Sequence, residues 1–427
     1  MGFINSDESN YQTILPISMP LQRVCYDCGR ETDDRQARCT CGEPLWLDTN
    51  PEDFEWSDVT EAPGLWRYEA LLPVVMPTPG RLAAAAGGTP LLREPELDGF
   101  AGTNIHLKVE GQHPTGSFKD RGSALALAAI DAGLEDEPDH AVDAVGTVSH
   151  GNMAMSMAAY AASFGLPCVV LVPDDIPEER LGVIAQFEPE IRRVRGDYGR
   201  LYRDSLEAGA AHDIAFVNSD VPLRVEGQKT TALEICEAFA PTTPDAIVMP
   251  VSSGGHASGV WKALRELDAA GAIDDVPRLY FVQTAACAPI AEAFVTGAET
   301  VAPIEGGGGE TVAYSIANAD PPSGNRVLRA ARETGGAVIA VDDDEIREAQ
   351  RELATEAGLT VEASSAVPLA GARDLAEAGT LANSDDVAVV TTGTGLKEAA
   401  GSAATVAERV DSVDIDRLDA ELSAFAE

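Results

Sequence analysis

The most informative segment of the sequence is His106-Leu-Lys-Val-Glu-Gly-Gln-His-Pro-Thr-Gly-Ser-Phe-Lys-Asp-Arg121. Residues 105–109 predict a strand, the Gly/Pro-rich middle predicts a turn, and the Ala/Leu-rich residues 122–132 predict a helix. Lys119 therefore opens a helix, where free backbone N–H groups attract anions. A primary amine beside an anion site is what covalent capture of an aldehyde-bearing phosphate cofactor requires.

The scarcity of lysine makes the position of Lys119 informative. A single lysine after a turn is more often a solvated surface residue, so the prediction depends on what the other segments contribute. The whole chain contains five lysines, which are Lys108, Lys119, Lys229, Lys262 and Lys397.

Three further segments each follow a predicted buried strand and carry glycine or small polar residues. Successive N–H groups in such loops form anion-binding nests, and glycine lets a ligand approach the backbone closely. No G-x-G-x-x-G follows a strand, which disfavours a dinucleotide-binding fold. The segments are Ser149-His-Gly-Asn152, Ser252-Ser-Gly-Gly-His256 and Thr391-Thr-Gly-Thr-Gly-Leu-Lys397.

Pro114-Thr-Gly-Ser-Phe-Lys-Asp-Arg-Gly122 resembles the cofactor-lysine motif of fold-type II pyridoxal-phosphate (PLP) enzymes, and most closely that of the threonine synthase family. The three loops above match the same family, as do residues 224–230 and 361–366. Together the matches extend from about residue 64 to residue 400. The resemblance implies a PLP-dependent lyase that converts O-phospho-L-homoserine and water to L-threonine and phosphate.

The resemblance also implies a role for each matching residue. Lys119 is the catalytic residue and binds the cofactor covalently, Asn152 contacts its phenolic oxygen, and Thr392 lies opposite its ring nitrogen. Ser252, Ser253, Gly254, Gly255 and His256 form the phosphate loop, and Ser149, His150 and Gly151 bind the substrate carboxylate. Arg121, Arg224, Lys229 and Lys262 are candidates for the substrate phosphate, although exposed surface charge is the commoner role for such residues.

Two departures from the family pattern leave the substrate open. His150 stands where the family usually has threonine, and Ser252–His256 replaces Gly-Asn-Ala-Gly-Asn. Another reaction of the same fold, such as serine/threonine dehydratase or cysteate synthase, is therefore the alternative. A catalytically inactive scaffold is a second alternative, which the joint presence of Lys119, Asn152 and Thr392 disfavours.

Four of the seven cysteines lie within seventeen residues near the start of the chain. Cys25 and Cys28 form one pair and Cys39 and Cys41 a second, each pair followed by glycine, which predicts a zinc ribbon with four thiolate ligands. Four thiolates leave no open coordination position, so a structural Zn²⁺ is expected. The flanking residues are acidic, which disfavours nucleic-acid binding by this ribbon.

The charge of the chain is strongly acidic, with 70 Asp and Glu against 30 Lys and Arg and a net charge of −40. Such a field repels nucleic acid and anionic membrane surfaces. A large acidic excess with little lysine resembles the proteins of extreme halophiles, in which salt screens the self-repulsion. The sequence shows neither a long apolar run nor a signal peptide, so we expect a cytoplasmic protein that binds neither membrane nor nucleic acid.

Strands alternate with Ala-rich helices after Lys119, which predicts an α/β protein with parallel sheet. The expected fold is a two-domain fold-type II PLP enzyme, similar to the tryptophan synthase β subunit, with a small N-terminal zinc ribbon. We expect a homodimer. The predicted divisions are a ribbon (20–50), a loop-rich connection (51–99), a domain with the PLP lysine (100–220) and a domain with the phosphate loop (221–427).

Overall fold

The structure is a computed structural model. It describes residues 21–32, 36–49, 51–77, 81–135, 141–149, 151–174, 176, 178–397, 413–418 and 422–423. Within these ranges the strands are β1 (Arg23–Val24), β2 (Glu31–Thr32), β3 (Trp46–Leu47), β4 (Leu91–Arg93), β5 (Asn104–Val109), β6 (Ala144–Val148), β7 (Cys168–Pro173), β8 (Glu190–Val194), β9 (Ile214–Phe216), β10 (Ala246–Pro250), β11 (Arg278–Thr284), β12 (Ala337–Val341) and β13 (Asp386–Thr391).

Helices alternate with these strands from β5 onward, as the sequence pattern predicts. The α-helices of the described residues are α1 (Asp98–Ala101), α2 (Lys119–Asp131), α3 (Asn152–Phe164), α4 (Glu178–Ala185), α5 (Tyr198–Ala210), α6 (Pro222–Phe239), α7 (Gly255–Ala269), α8 (Pro289–Thr296), α9 (Gly324–Glu333), α10 (Asp343–Thr355) and α11 (Ala363–Glu377).

The strands form three sheets. The six-stranded sheet has the order β12-β11-β10-β13-β5-β4, in which only the edge strand β4 is antiparallel to its neighbour. The four-stranded sheet, β8-β7-β6-β9, is wholly parallel. The predicted α/β class with parallel sheet is confirmed, because βαβ crossovers connect the strands of both sheets.

The boundary near residue 221 does not coincide with the division between the sheets. Strand β5 precedes that boundary by more than a hundred residues, yet it pairs along its whole length with β13, from Asn104 beside Asp386 to Val109 beside Thr391. Strands β6 to β9 alone form the smaller sheet. The chain thus enters the larger sheet, leaves it to build the smaller one, and returns.

Alternation along β10 explains the layers around the larger sheet. Ile247 and Met249 pack in one apolar cluster with residues of α7 and α9. Ala246 and Val248 pack in a second cluster with residues of α10 and α11. Successive side chains of a strand point to opposite faces, so helices cover both faces and the strand is fully buried.

The N-terminal ribbon is the third sheet, an antiparallel β2-β1-β3 arrangement next to the four clustered cysteines. It packs against α7 and α9 through Tyr26, Trp46 and Trp261, whose rings lie 5.1–5.8 Å apart. Among the residues that the structure describes, no helix is both long and apolar enough to span a membrane.

Candidate active site

Lys119 is the first residue of α2, and the turn before it is hydrogen-bonded to the segment that follows β13. The N–H of Phe118 donates to the carbonyl of Thr392 at 3.0 Å, and the N–H of Thr394 donates to the carbonyl of Gly116 at 2.9 Å. Strands β5 and β13 are parallel neighbours, so their carboxyl ends lie at one edge of the sheet. The structure therefore brings Lys119 and Thr392 together.

The predicted phosphate loop, Ser252–His256, joins β10 to α7 and lies beside the same turn. The ring of His256 stacks on the ring of Phe118, with centroids 4.1 Å apart and planes at 10°. Gly254 has φ +88° at the N-cap of α7, and a Cβ there would lie 2.9 Å from the carbonyl oxygen of Ser323. Only glycine fits this conformation and this close approach.

The backbone N–H groups of the loop, and not the side chain of His256, are suited to binding an anion. The N–H groups of the first turn of α7 have no partner within the helix and point toward an incoming anion. Burial lowers the pKa of His256 to about 3, so the ring is neutral at pH 7. Its Nε2 is 2.9 Å from the hydroxyl of Thr231.

Asn152 is the first residue of α3 and is held by two side chains from distant parts of the chain. Its amide nitrogen donates to both carboxylate oxygens of Glu362, at 2.9 and 2.8 Å. Its carbonyl oxygen accepts from the amine of Lys397 at 2.5 Å. That amine also donates to the carbonyl of Gly116 at 3.1 Å, which places Asn152 beside the turn that precedes Lys119.

Thr392 is oriented by Ser365. The two hydroxyl oxygens are 2.9 Å apart, and the hydroxyl of Ser365 also accepts the N–H of Gly393 at 2.8 Å. Sequence reasoning missed the roles of Ser365 and Glu362, although both lie in the family-like segment 361–366. Their roles depend on a tertiary contact, because α11 begins beside the residues that follow β13.

The amine of Lys119 is held close to neutrality. Burial is the main cause, the charge of Arg224 acts in the same direction, and the carboxylate of Glu362 opposes both; together they lower the pKa of Lys119 to about 7. The amine lies 4.3 Å from the centroid of the Phe118 ring. It forms no ion pair among the described residues, so a substantial part of it is a free nucleophile at pH 7.

The predicted carboxylate loop is described only in part. Ser149 follows β6, and its hydroxyl accepts the N–H of Gly151 at 3.2 Å, which shapes the entry to α3. His150 lies outside the described residues. The loop belongs to the smaller sheet, so the site lies between the carboxyl ends of strands from both sheets.

The four candidate cations are all buried, contrary to the expectation of exposed surface charge. Arg121 is paired with Glu110 and Glu234, and Lys229 and Lys262 share two other carboxylates. Buried charges need partners, and these three have them.

Arg224 differs from the other three candidates. Its guanidinium donates to the carbonyl of Lys119 at 3.0 Å and to the hydroxyl of Ser123 at 3.1 Å. Within the described part of the chain it forms no ion pair. Burial lowers its pKa to about 10, which still leaves it cationic at pH 7.

Several buried polar atoms around Lys119 have no hydrogen-bond partner among the described residues. They are Oγ of Ser117, Nε of Arg224 and Nδ1 of His256. The amide of Gln228, one turn after Arg224 on α6, is also fully buried and lacks a partner among these residues. Unpartnered buried polar atoms cost about 1–3 kcal/mol each, so their grouping here fits a site that receives a polar, anionic ligand such as PLP.

The four predicted zinc ligands also lie together. All four sulfur atoms of Cys25, Cys28, Cys39 and Cys41 lie within 4.8 Å of one another. Sγ of Cys25 is 3.6 Å from that of Cys41, and Sγ of Cys28 is 3.6 Å from that of Cys39. A tetrahedral Zn²⁺ with bonds of about 2.3 Å has sulfur–sulfur edges of roughly 3.8 Å, so the cluster fits the ion.

Comparison with known proteins places this arrangement in a family. Residues 82–393 match the family model described as pyridoxal-phosphate dependent enzyme. The chain is 34% identical over 390 residues to the threonine synthase of Methanocaldococcus jannaschii, covering 88% of this chain and 93% of that protein. It is 36% identical over 318 residues to the threonine synthase of Mycobacterium bovis, covering 73% and 82%.

Solved structures with the same fold extend the comparison. Maize serine racemase superimposes with a TM-score of 0.60 at 21% identity, covering 75% of this chain and 93% of that one. The processed form of threonine deaminase isoform 2 from Solanum lycopersicum gives a TM-score of 0.58 at 19% identity, covering 72% and 83%. These similarities confirm the fold-type II architecture.

Proposed function

This chain belongs to the threonine synthase family of pyridoxal-phosphate-dependent enzymes, and we propose that it converts O-phospho-L-homoserine and water to L-threonine and phosphate. The observation that supports the proposal is that two basic side chains lie next to each other, and neither has an ion-pair partner among the described residues. Lys119 presents an amine with a pKa of about 7, and the adjacent Arg224 is a buried cation whose guanidinium bonds only neutral oxygens among the residues that the structure describes.

The proposed cofactor residues are supported by the family and by the geometry of the site. PLP, bound through Lys119, withdraws electrons from an attached amino acid and so permits proton removal at its α- and β-carbons. Gly254, Gly255 and the N-terminus of α7 would hold its phosphate. Asn152 would donate to its phenolic oxygen, and Thr392, a neutral hydroxyl, would face its ring nitrogen.

Lys119 would serve as the base once the substrate amine has displaced it. An amine with a pKa near 7 is close to the best value for accepting and returning a proton at neutral pH. It would take the protons from the α- and β-carbons so that phosphate can leave from the γ-carbon, and it would then return a proton to the γ-carbon. Water then adds at the β-carbon, and threonine leaves.

The substrate carries two anionic groups that need separate sites. The loop from Ser149 to Gly151 leads into the N-terminus of α3, whose first backbone N–H groups suit the carboxylate. Arg224 suits the phosphate, because Arg121, Lys229 and Lys262 are already neutralised by carboxylates. A guanidinium can bind a phosphate through two parallel hydrogen bonds.

A substrate panel tests the proposal. Purified holoenzyme should release phosphate and threonine in equal amounts from O-phospho-L-homoserine. Pyruvate from serine or 2-oxobutanoate from threonine, without phosphate release, would identify a dehydratase instead. Formation of cysteate from a phosphorylated substrate and sulfite would identify the synthase alternative.

The ribbon is proposed to bind a structural Zn²⁺ through Cys25, Cys28, Cys39 and Cys41. The hydrogen bond from the backbone N–H of Cys41 lowers the pKa of Cys39 to about 6, whereas burial raises that of Cys25 to about 12. Metal analysis should find one zinc per chain, and the Cys39→Ser/Cys41→Ser variant should lose it.

The setting of the enzyme is proposed from its charge. A net charge of −40 repels itself at low ionic strength, so we propose a cytoplasmic homodimer adapted to high salt. All five lysines are buried or half-buried, which leaves arginine as the main surface cation. The melting temperature should be higher in molar KCl than in dilute buffer; equal values would refute the adaptation.

A further inference from the structure

We propose that the N-terminal ribbon, of which residues 23–32 and 36–47 are described, helps to position the cofactor site, and that Arg38 is its positioning residue. Through Arg38 the ribbon fixes the backbone that supports the phosphate loop, Ser252–His256. The inference rests on the proposed function in one respect, namely that the loop binds the phosphate of PLP. It goes beyond the structural role that four thiolate ligands alone would imply.

Arg38 connects the second cysteine pair to two segments of the body. Its Nη1 donates to the carbonyl of Gly42 at 2.9 Å, which anchors the guanidinium within the ribbon. Its Nη2 donates to the carboxylate of Asp220 at 3.1 Å and to the carbonyl of Pro322 at 3.0 Å. The side chain of Asp220 is 5% exposed and that of Arg38 29%, so the pair is partly shielded from solvent and stronger than a fully exposed ion pair.

The two segments that Arg38 holds together lie directly behind the phosphate loop. The N–H of Ser323 donates to the carbonyl of Ser253 at 2.9 Å, and the hydroxyl of Ser323 donates to the carboxylate of Asp220 at 3.1 Å. Asp220 therefore receives hydrogen bonds from the ribbon and from a residue that is itself bonded to the loop. Removing Arg38 leaves that buried carboxylate without its cation.

Close packing would carry any shift of these segments into the loop. A Cβ on Gly254 would lie 2.9 Å from the carbonyl oxygen of Ser323, and one on Gly255 would lie 2.1 Å from that of Ser219. The supporting backbone thus contacts the loop with no space between them. Interiors packed in this way transmit small displacements.

The ribbon also fixes the helix that follows the loop. The indole N–H of Trp46 donates to the hydroxyl of Ser258 at 2.8 Å, and Nη1 of Arg326 donates to the same oxygen at 2.8 Å. Ser258 lies in the first turn of α7, whose N–H groups would face the cofactor phosphate. The guanidinium of Arg326 in turn lies over the rings of Tyr26 and Trp46, at 4.9 and 5.1 Å.

A ribbon that merely covers apolar surface would have a different consequence. Its loss would lower the free energy of unfolding but would leave the affinity of the folded protein for PLP unchanged. The affinity for the cofactor and the environment of its phosphate therefore distinguish a positioning role from a purely structural one.

The test compares Arg38→Ala with Arg38→Lys and with Arg93→Ala as the matched control. Arg93 is similarly exposed and forms a 2.6 Å ion pair with Asp98, remote from the ribbon on the edge strand β4. For each holoenzyme the dissociation constant of PLP is measured by dilution and absorbance, and the bound phosphate is observed by phosphorus NMR.

We expect Arg38→Ala to weaken PLP binding by about tenfold, the loss of one charge-assisted hydrogen bond, and to shift the phosphorus signal. Arg38→Lys should recover part of the affinity because it keeps the charge beside Asp220. Removal of zinc by a chelator should act in the same direction as Arg38→Ala. The control should match the wild type in both measurements.

Three outcomes would count against the inference. An Arg38→Ala protein whose PLP affinity and phosphorus signal equal those of the Arg93→Ala protein overturns it and leaves the proposed function intact. A wild-type protein that binds no PLP overturns the proposed function as well. If Arg38→Ala does not fold, Ser323→Ala, which removes only the hydroxyl contact with Asp220, must weaken PLP binding, and an unchanged affinity refutes the inference.

Discussion

Two regions of this protein bury lysine in opposite ways. Where α6 crosses α7, Lys229 and Lys262 share the carboxylates of Glu226 and Glu266, and Lys229 lies 2.7 and 2.8 Å from its two partners. At the start of α2, Lys119 has no carboxylate within ion-pair distance among the described residues. The same residue type thus has carboxylate partners in one place and a lowered pKa without such a partner in the other.

Nearby carboxylates account for the difference in lysine pKa between the two regions. The paired carboxylates of the first region raise the pKa of Lys262. At Lys119, burial without a counter-ion lowers the pKa to about 7. Desolvation disfavours the charged form, and only a nearby opposite charge reverses that effect. The lowered pKa of Lys119 thus results from burial without an ion-pair partner in the described part of the chain.

Substitution of Lys119 should reduce turnover more than any of the other changes. Lys119→Ala should reduce turnover by about 10³-fold or more, because it removes both the covalent attachment and the base. Lys262→Ala is the comparison variant, and its folded fraction should keep the cofactor. Borohydride reduction followed by peptide mapping should find the pyridoxyl group on Lys119, and its recovery on any other lysine would refute the site.

Removing the ion pairs of Lys229 should lower the free energy of unfolding and leave turnover unchanged. Lys229→Met leaves Glu226 and Glu266 to share one amine, and breaking a buried ion pair costs about 3–5 kcal/mol. Urea unfolding should show this loss, while turnover per folded molecule stays near the wild-type value. Lys229→Met/Glu226→Gln restores the charge balance and should recover most of the stability. If it recovers none, charge pairing is not what Lys229 contributes.

The pH dependence of cofactor capture follows from the lowered pKa of Lys119. Only the neutral amine attacks an aldehyde, so the rate at which apoenzyme captures PLP should rise about tenfold per pH unit below 7 and level off above it. Between pH 7 and 10 the unfolded chain binds more protons at this residue than the folded one, so apoenzyme stability should rise with pH there. Stopped-flow absorbance and urea unfolding would check the two trends, and Lys119→Met should abolish the second.

The smallest expected effect comes from the one carboxylate that acts on Lys119 from a distance. The charge of Glu362 raises the pKa of Lys119 against the effect of burial, so Glu362→Gln should move the capture profile to lower pH by a fraction of a unit. Glu348→Gln, an exposed change on α10, is the control. A shift to higher pH would contradict the assigned sign.

The sequence was sufficient for the parts of the fold and site that local patterns encode. The predicted strand, turn and helix around Lys119 are confirmed, as are the buried strands β10, β11 and β13. Short apolar runs bounded by turn residues are typical of buried strands. Strand β8 was missed because its residues Glu190, Arg192 and Arg193 give it a charged, exposed edge pattern.

Other features depend on tertiary contacts that no local pattern contains. The bond between Asn152 and Glu362 joins residues 210 positions apart, and that from Lys397 to Asn152 spans 245. The pairing of β5 with β13 likewise joins the two ends of the catalytic region. The roles of Lys108, Lys229 and Lys262 as paired core residues could not be predicted, because charge alone does not indicate burial.

Lys119 should lose its proton near pH 7, whereas Lys262 should stay charged well above that pH, and NMR of the lysine side chains measures both. Selective labelling of the cofactor-free protein gives five amine signals, one for each lysine, and Lys119→Arg identifies the relevant one. That signal should titrate at a pH of about 7, whereas the signal of Lys262 should remain that of a charged amine well above it. If the Lys119 amine instead stays charged above about pH 9, as an ordinary lysine does, its pKa is not lowered and the amine is not prepared as a nucleophile.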